Sequence, residues 1–243
     1  MKYLSNYNLR NKRVLVLGGS GTIGKEICLA LKEHKAYITN LDLKDDIKLK
    51  RNKINFTKFK LDTSKKSLNF FKKIIKNKTP EIFINCSYPY SKGWSNMGFK
   101  DPNISKIKKN IDLQLTFTIW SSQLIADQMK RKKIKGNILL LGSIYGVISQ
   151  DENLYKNSNI KINSIYSSIK GGLINFTKTF KFFDTIYPSI GENYSFIYFF
   201  MSIVVITDTA GYVVGKFLGG PKPFKSISPK KTASGYLGGI ASA

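Results

Sequence analysis

Tyr166 and Lys170 stand four residues apart near the start of an apolar-periodic stretch over residues 164–182. On a helix that spacing puts both side chains on one face. A phenol works as an acid or base near neutrality only when its phenolate is stabilised, and a neighbouring ammonium does this. Upstream, Gly142-Ser143-Ile144-Tyr145-Gly146 follows a short apolar segment at 137–141. A serine hydroxyl there can hold and polarise a carbonyl. Tyr155 lies closer to Ser143, but its fourth residue on is Asn159, so it fails the pairing that singles out Tyr166. The chemistry expected is proton transfer on a small-molecule substrate.

A second group of residues suits phosphate. Gly18-Gly19-Ser20-Gly21-Thr22-Ile23-Gly24 lies between an apolar strand at 13–17 and a helix at 22–33. Glycines allow a tight turn and close backbone approach, and the helix start offers N–H groups to a pyrophosphate. Asp42 ends the next strand, 24 positions beyond Gly18. Its carboxylate suits a ribose 2′-hydroxyl and repels a 2′-phosphate. That favours NAD over NADP, with Lys44 nearby arguing the other way.

The elements around these groups alternate. Strands are expected at 13–17, 36–41, 54–61, 81–85 and 137–141, and helices at 22–33, 64–76, 104–129 and 164–182. Such alternation predicts an α/β fold, a Rossmann-type doubly wound parallel sheet with helices on both faces. The chain has 243 residues, and 40 Lys+Arg against 15 Asp+Glu give a net charge of +25. Only Arg10, Arg13, Arg51 and Arg131 are arginines, so forks for bidentate phosphate or base contacts are scarce. The charge reads as a solvated lysine surface, and nucleic acid is not an expected partner. Cys28, Cys86 and the single histidine, His34, exclude a disulfide framework, a Cys/His zinc site and a Ser-His-Asp triad. Residues 1–11 are polar and carry no secretory signal.

Over residues 10–182 these motifs resemble the short-chain dehydrogenase/reductase family. The resemblance implies NAD-dependent hydride transfer between nicotinamide and a carbonyl or hydroxyl group. It makes Tyr166 the proton donor, Lys170 its support and the ligand of the nicotinamide ribose, and Ser143 the residue that orients substrate. Gly18, Ser20, Gly21, Ile23, Gly24, Asp42, Asp62 and Asn85 would bind the cofactor with Tyr166 and Lys170. Asp62 matches the family's adenine-contacting aspartate. Asn85-Cys86-Ser87-Tyr88 replaces the usual Asn-Asn-Ala-Gly, and Thr22 replaces the middle glycine of the turn. A fourth catalytic residue, usually asparagine, aligns with Asp112, and Asn110 is two positions off. Ser143 and Tyr166 are 23 positions apart. That long separation resembles the subgroup that modifies flagellin and surface sugars, which implies a sugar or sugar-nucleotide substrate.

After Phe183 the character changes. Residues 194–207 form an uncharged apolar run that ends at Asp208, too short at 14 residues for a full bilayer span. A buried strand and a partial membrane helix both fit it. Residues 194–243, with Ile206-Thr207-Asp208-Thr209-Ala210-Gly211-Tyr212 and the Ser228 to Thr232 segment, resemble phosphatidate cytidylyltransferase, the CDP-diacylglycerol synthase. There Asp208 would help bind Mg²⁺, and Ser228, Lys230, Lys231 and Thr232 would lie by the nucleotide, with Ser234 where many members carry glutamate. The division expected is a nucleotide-binding domain at 1–183, a junction at 184–193 and the cytidylyltransferase-like fragment at 194–243. The Rossmann part would be C-terminally incomplete and followed by an apolar, membrane-derived tail. The leading expectation is a cytoplasmic NAD-dependent oxidoreductase, with membrane association through 194–218 and a homo-oligomer both allowed. The alternatives are CTP-dependent CDP-diacylglycerol synthesis and an inactive remnant.

Overall fold

The computed structural model describes residues 9–94, 102–150, 162–180, 220–221, 232 and 234. Five strands form one parallel sheet: β1 (Arg13–Leu17), β2 (Tyr37–Asp42), β3 (Asn55–Lys58), β4 (Ile82–Asn85) and β5 (Asn137–Leu140). Their order is β3-β2-β1-β4-β5, so the connection after β3 crosses back over the sheet. The chain is thus α/β and Rossmann-like. The helices are α1 (Thr22–Glu33), α2 (Ile47–Arg51), α3 (Lys65–Asn77), α4 (Ile104–Ile111), α5 (Phe117–Arg131) and α6 (Ser164–Phe180).

Alternation along β1 sends side chains to two cores. Val14 and Val16 pack with Cys28 and Leu31 of α1, Leu49 of α2 and Ile38 of β2. Leu15 and Leu17 face the other way, against Phe71 and Ile75 of α3 and Phe117, Ile125 and Met129 of α5. Phe71 is fully buried and touches the rings of Phe59, Phe83, Phe117 and Trp120, with Phe117 edge-on at 5.4 Å. At the foot of the sheet Glu81 accepts from the Lys12 ammonium at 2.9 Å and the Arg13 N–H at 3.1 Å, which ties the start of β1 to that of β4. Partial burial opposes its charge, but these bonds and the adjacent cations hold its pKa below the ordinary glutamate value.

Three elements differ from the sequence expectation. β3 stops at Lys58 rather than 61, because its partner β2 ends at Asp42, the residue opposite Lys58. The lysine-rich connection after β2 holds a short helix, α2, capped by Asp46, which accepts from the N–H groups of Lys48 and Leu49. The long helix from Ile104 is interrupted by a π-helical turn over Asp112–Thr116.

The chain divides into two compact units, Met1–Tyr187 and Pro188–Ala243. In the second, the hydroxyls of Thr232 and Ser234 share a hydrogen bond of 2.9 Å. The apolar run at 194–207, Asp208, Ser228, Lys230 and Lys231 lie outside the described residues, as does Tyr155. Among the described residues no helix is long and apolar enough to cross a membrane.

Phe71→Ala should cost about 3–5 kcal/mol in urea unfolding, as a large truncation in a packed core. Phe70→Ala, one residue earlier and 41% exposed against the Phe59 ring, should cost about 0.5–1.5 kcal/mol.

Candidate active site

The glycine turn is built where β1 and β2 stop. Leu17 pairs with Leu41 on one side and Asn85 on the other. Gly18 then turns with φ +81, and a Cβ there would lie 2.6 Å from the Ser87 backbone. Only glycine satisfies both the angle and the contact. Gly24 presses α1 onto the same turn, its Cα facing the Gly18 carbonyl and the Gly19 Cα. Gly21 caps α1 without a side-chain bond, and the first turn carries no acidic residue. The N–H groups of Thr22, Ile23 and Gly24 are thus left for an anion. Beside them Ile23 is 59% exposed, an apolar surface that a bound ring would cover.

Two residues of β2 set the turn. Asn40, fully buried, accepts from the Gly19 N–H at 3.0 Å and donates to the Ser20 hydroxyl at 2.9 Å. Asp42 accepts from the N–H groups of Ser20 at 2.9 Å and Leu43 at 2.7 Å. Each carboxylate oxygen keeps a second lone pair for a hydroxyl donor. Asn40 is a site residue that sequence reasoning passed over, although an amide inside an apolar strand, two before Asp42 and on its face, was the available signal.

Asp62 accepts from the hydroxyl and N–H of Ser64, the cap of α3. These bonds, the hydroxyl's foremost, hold its pKa below the ordinary carboxylate value. It lines an open cleft of about 370 Å³ with Ser105, Lys108, Asp112 and Leu113.

The proton-handling end lies beyond β4 and β5. Asn163 caps α6, accepting from the N–H groups of Ile165 and Tyr166 at 3.1 Å each, which holds Tyr166 on the first turn. Ser143 caps a 3-10 turn at Ile144–Gly146, its hydroxyl accepting from the Tyr145 N–H at 3.3 Å. A Cβ on Gly146 would lie 2.6 Å from the Lys170 carbonyl carbon, so this turn rests directly on α6. That contact brings the Ser143 turn against the helix of Tyr166 and Lys170. No hydrogen bond joins the Ser143 and Tyr166 hydroxyls, a looseness common before substrate is bound.

Lys170 is 8% exposed and donates to the Leu141 carbonyl at 2.7 Å. Its ammonium lies 5.9 Å from the Tyr166 ring centre. Its other donors have no partner among the described residues. Burial lowers its pKa below the ordinary lysine value. It lines a cavity of about 10 Å³, the size of one water, with Asn85, Ser87, Gln114 and Thr118.

This cavity corrects the expectation for Asp112. Asp112 is exposed and lies in the Asp62 cleft, with the Thr116 hydroxyl donating to it at 3.3 Å. Asn110 is buried against Ser91. Gln114 reaches the Lys170 cavity instead, 5% exposed and with its Nε2 unpartnered. Residues two apart on a helix point to nearly opposite sides, so Asp112 and Gln114 cannot serve one cavity. Asn85 donates to the Thr118 hydroxyl at 3.0 Å, which in turn donates to the Gln114 carbonyl at 2.6 Å. The end of β4 is therefore tied to the π-helical turn. Among the described residues no cluster of His, Cys, Asp or Glu could hold a metal ion, and Asp208 lies outside them.

The chain is 30% identical over 175 residues, 68% of each chain, to the post-translational flagellin modification protein A of Campylobacter coli. A profile described as the cytidylyltransferase family matches residues 103–243, more than half of the chain. The chain belongs to both families. Its fold resembles that of a short-chain dehydrogenase from Leptospira borgpetersenii solved with bound NAD+, at a TM-score of 0.64 and 28% identity, covering 74% of this chain and 68% of that one. A phosphatidate cytidylyltransferase of Staphylococcus saprophyticus is 26% identical over 146 residues, 52% of this chain and 55% of that one. The chain thus spans about half the length of that relative. Across 103–180 the cytidylyltransferase match overlaps α4, α5, β5 and α6, which here belong to the Rossmann-like unit.

A pH dependence follows from Lys170. A lysine whose folded pKa is lowered contributes stability that is present above its unfolded value of 10.5 and lost as pH falls through the folded value. Urea midpoints of the native chain should rise as pH is raised toward 10.5. In Lys170→Met that part of the rise should vanish.

Proposed function

We propose that the chain is an oxidoreductase of the short-chain dehydrogenase type. It binds NAD and acts on a hydroxyl or carbonyl carbon of a small molecule, a sugar or sugar nucleotide. The observation that carries the reading is Lys170, a buried ammonium set beneath Tyr166 with an unpartnered amide, Gln114, across a water-sized cavity. Burying a charge costs several kcal/mol, so a lysine is retained there for what it does.

The pyrophosphate would lie on the uncapped start of α1 and the Gly18 turn, and the adenosine ribose on Asp42 and Ser20. Asp62 and Ile23 would cover the adenine and nicotinamide ends. Bound NAD supplies or takes the hydride. Tyr166 holds the proton that passes to or from the substrate oxygen. The Lys170 ammonium lies 5.9 Å from the Tyr166 ring centre and leaves donors for a ribose hydroxyl. Ser143 orients the substrate oxygen. Gln114 holds the water that links Lys170 to solvent, the role the sequence assigns to Asp112. The flagellin modification relative and the neighbour solved with NAD+ support this reading.

The cytidylyltransferase match favours a second reading, in which 194–243 contributes to CTP-dependent nucleotidyl transfer with Asp208 on Mg²⁺ and the segment at the membrane. In this division 1–183 remains the nucleotide-binding domain. Incubating the full chain with CTP, Mg²⁺ and phosphatidic acid should yield no CDP-diacylglycerol. Product that Asp208→Ala abolishes would make this the primary activity.

Calorimetric titration should show NADH binding tighter than NADPH, and Asp42→Ala should narrow the difference by removing the carboxylate. Equal affinities in the native chain would remove the role given to Asp42. In turnover, Tyr166→Phe should lower kcat by about 10²–10⁴-fold while NADH affinity is kept, because the ring stays and the proton donor is lost.

A further inference from the structure

Among the described residues two separate aromatic clusters differ in chemistry. The core cluster is built from phenylalanines: Phe59, Phe70, Phe71, Phe83 and Phe117, joined by Trp120. Among the described residues the second is built from tyrosines and a tryptophan. Tyr88 stands at its centre, with ring centres 6.0 Å from Tyr90, 6.2 Å from Trp94 and 5.9 Å from Tyr166. Every member carries a polar tip. Two are open to solvent, Tyr88 at 44% and Tyr90 at 63% exposed. Large aromatic surface left in water beside a proton donor calls for an occupant.

The wall is held in place before any ligand arrives. Asn110, fully buried in α4, accepts from the Ser91 N–H at 2.9 Å and donates to the Ser91 hydroxyl at 2.8 Å. Asn163 donates to the Trp94 carbonyl at 3.2 Å, so the residue that caps the helix of Tyr166 also anchors the wall. The Trp94 indole N–H donates to the Tyr88 hydroxyl at 2.8 Å, which leaves the phenolic proton and a lone pair for another partner.

Resting on the oxidoreductase reading of Tyr166, we propose that Tyr88, Tyr90 and Trp94 form a stacking wall that binds the ring of a sugar substrate. One face of a pyranose presents polarised C–H bonds, which suit the negative face of an aromatic ring. Its hydroxyls need partners at the rim, which phenol tips and the Ser143 hydroxyl supply and phenylalanines would not. An apolar ketone would be served as well by phenylalanine rings at these positions.

The test is calorimetric titration of the full chain, with and without NADH. The probes are UDP- and GDP-activated hexoses, UDP and GDP alone, and acetophenone as an apolar ring. The hexose conjugates should bind more tightly than the bare nucleotides. Tyr90→Ala should weaken that gain about tenfold, and Tyr90→Phe, which keeps the ring face but loses the phenol tip, should recover only part of it. NADH affinity should be the same in all three proteins. No gain from the hexose, or acetophenone binding as tightly with the same loss in Tyr90→Ala, would overturn the sugar wall. Failure of NADH to bind would overturn the oxidoreductase reading alone, because the sugar arm run without NADH still decides the wall.

Discussion

A buried ammonium with no ion-pair partner among the described residues is the constraint that organises the candidate site. Water solvates a lysine better than any protein interior, so Lys170 needs compensation from its surroundings. The Leu141 carbonyl supplies one acceptor at 2.7 Å, and the small cavity shared with Gln114 offers room for a water. Both depend on α6 lying close to the loop after β5. That closeness depends on Gly146, whose Cα touches the backbone at Lys170 and Gly171. A side chain at 146 would push the Ser143 turn away from the helix and open the ammonium to solvent.

The same logic of backbone contact governs the other end. Gly18 lets the turn after β1 meet the loop after β4 at Ser87, and Gly24 lets α1 begin on top of that turn. Asn40 and Asp42 then hold the turn from β2 with both side chains. The glycine turn and the Lys170 cavity meet at β4, where Asn85 shapes the Ser87 loop and reaches through Thr118 to the π-helical turn. A π-helical turn widens the helix and is a common device at functional sites. Here it carries Gln114 into the cavity while Asp112 stays on the far side.

Much of this was legible in the chain before folding. The alternating elements, the glycine turn, the acidic end of β2 and the Tyr-Lys spacing are local patterns, each set by neighbours within a few residues. The start and end of β1, of α1 and of α3 follow from such patterns to within one residue. The short helix α2 went unread because five residues carry too little periodicity, although Asp46 was in place as its cap. The end of β3 was also beyond local reading, since a strand stops where its partner stops.

By itself the sequence determined the α/β alternation, the glycine turn after β1 and the helical spacing of Tyr166 and Lys170, because strand, helix and turn periodicities are short-range. Tertiary structure alone decided that Gln114 rather than Asp112 faces Lys170. It decided that Asn40 braces the glycine turn and that Tyr88, packed with Tyr90 and Trp94, meets Tyr166. Each of these joins residues far apart in the chain, or turns on the angle at which a helix is interrupted, and packing between elements sets that geometry.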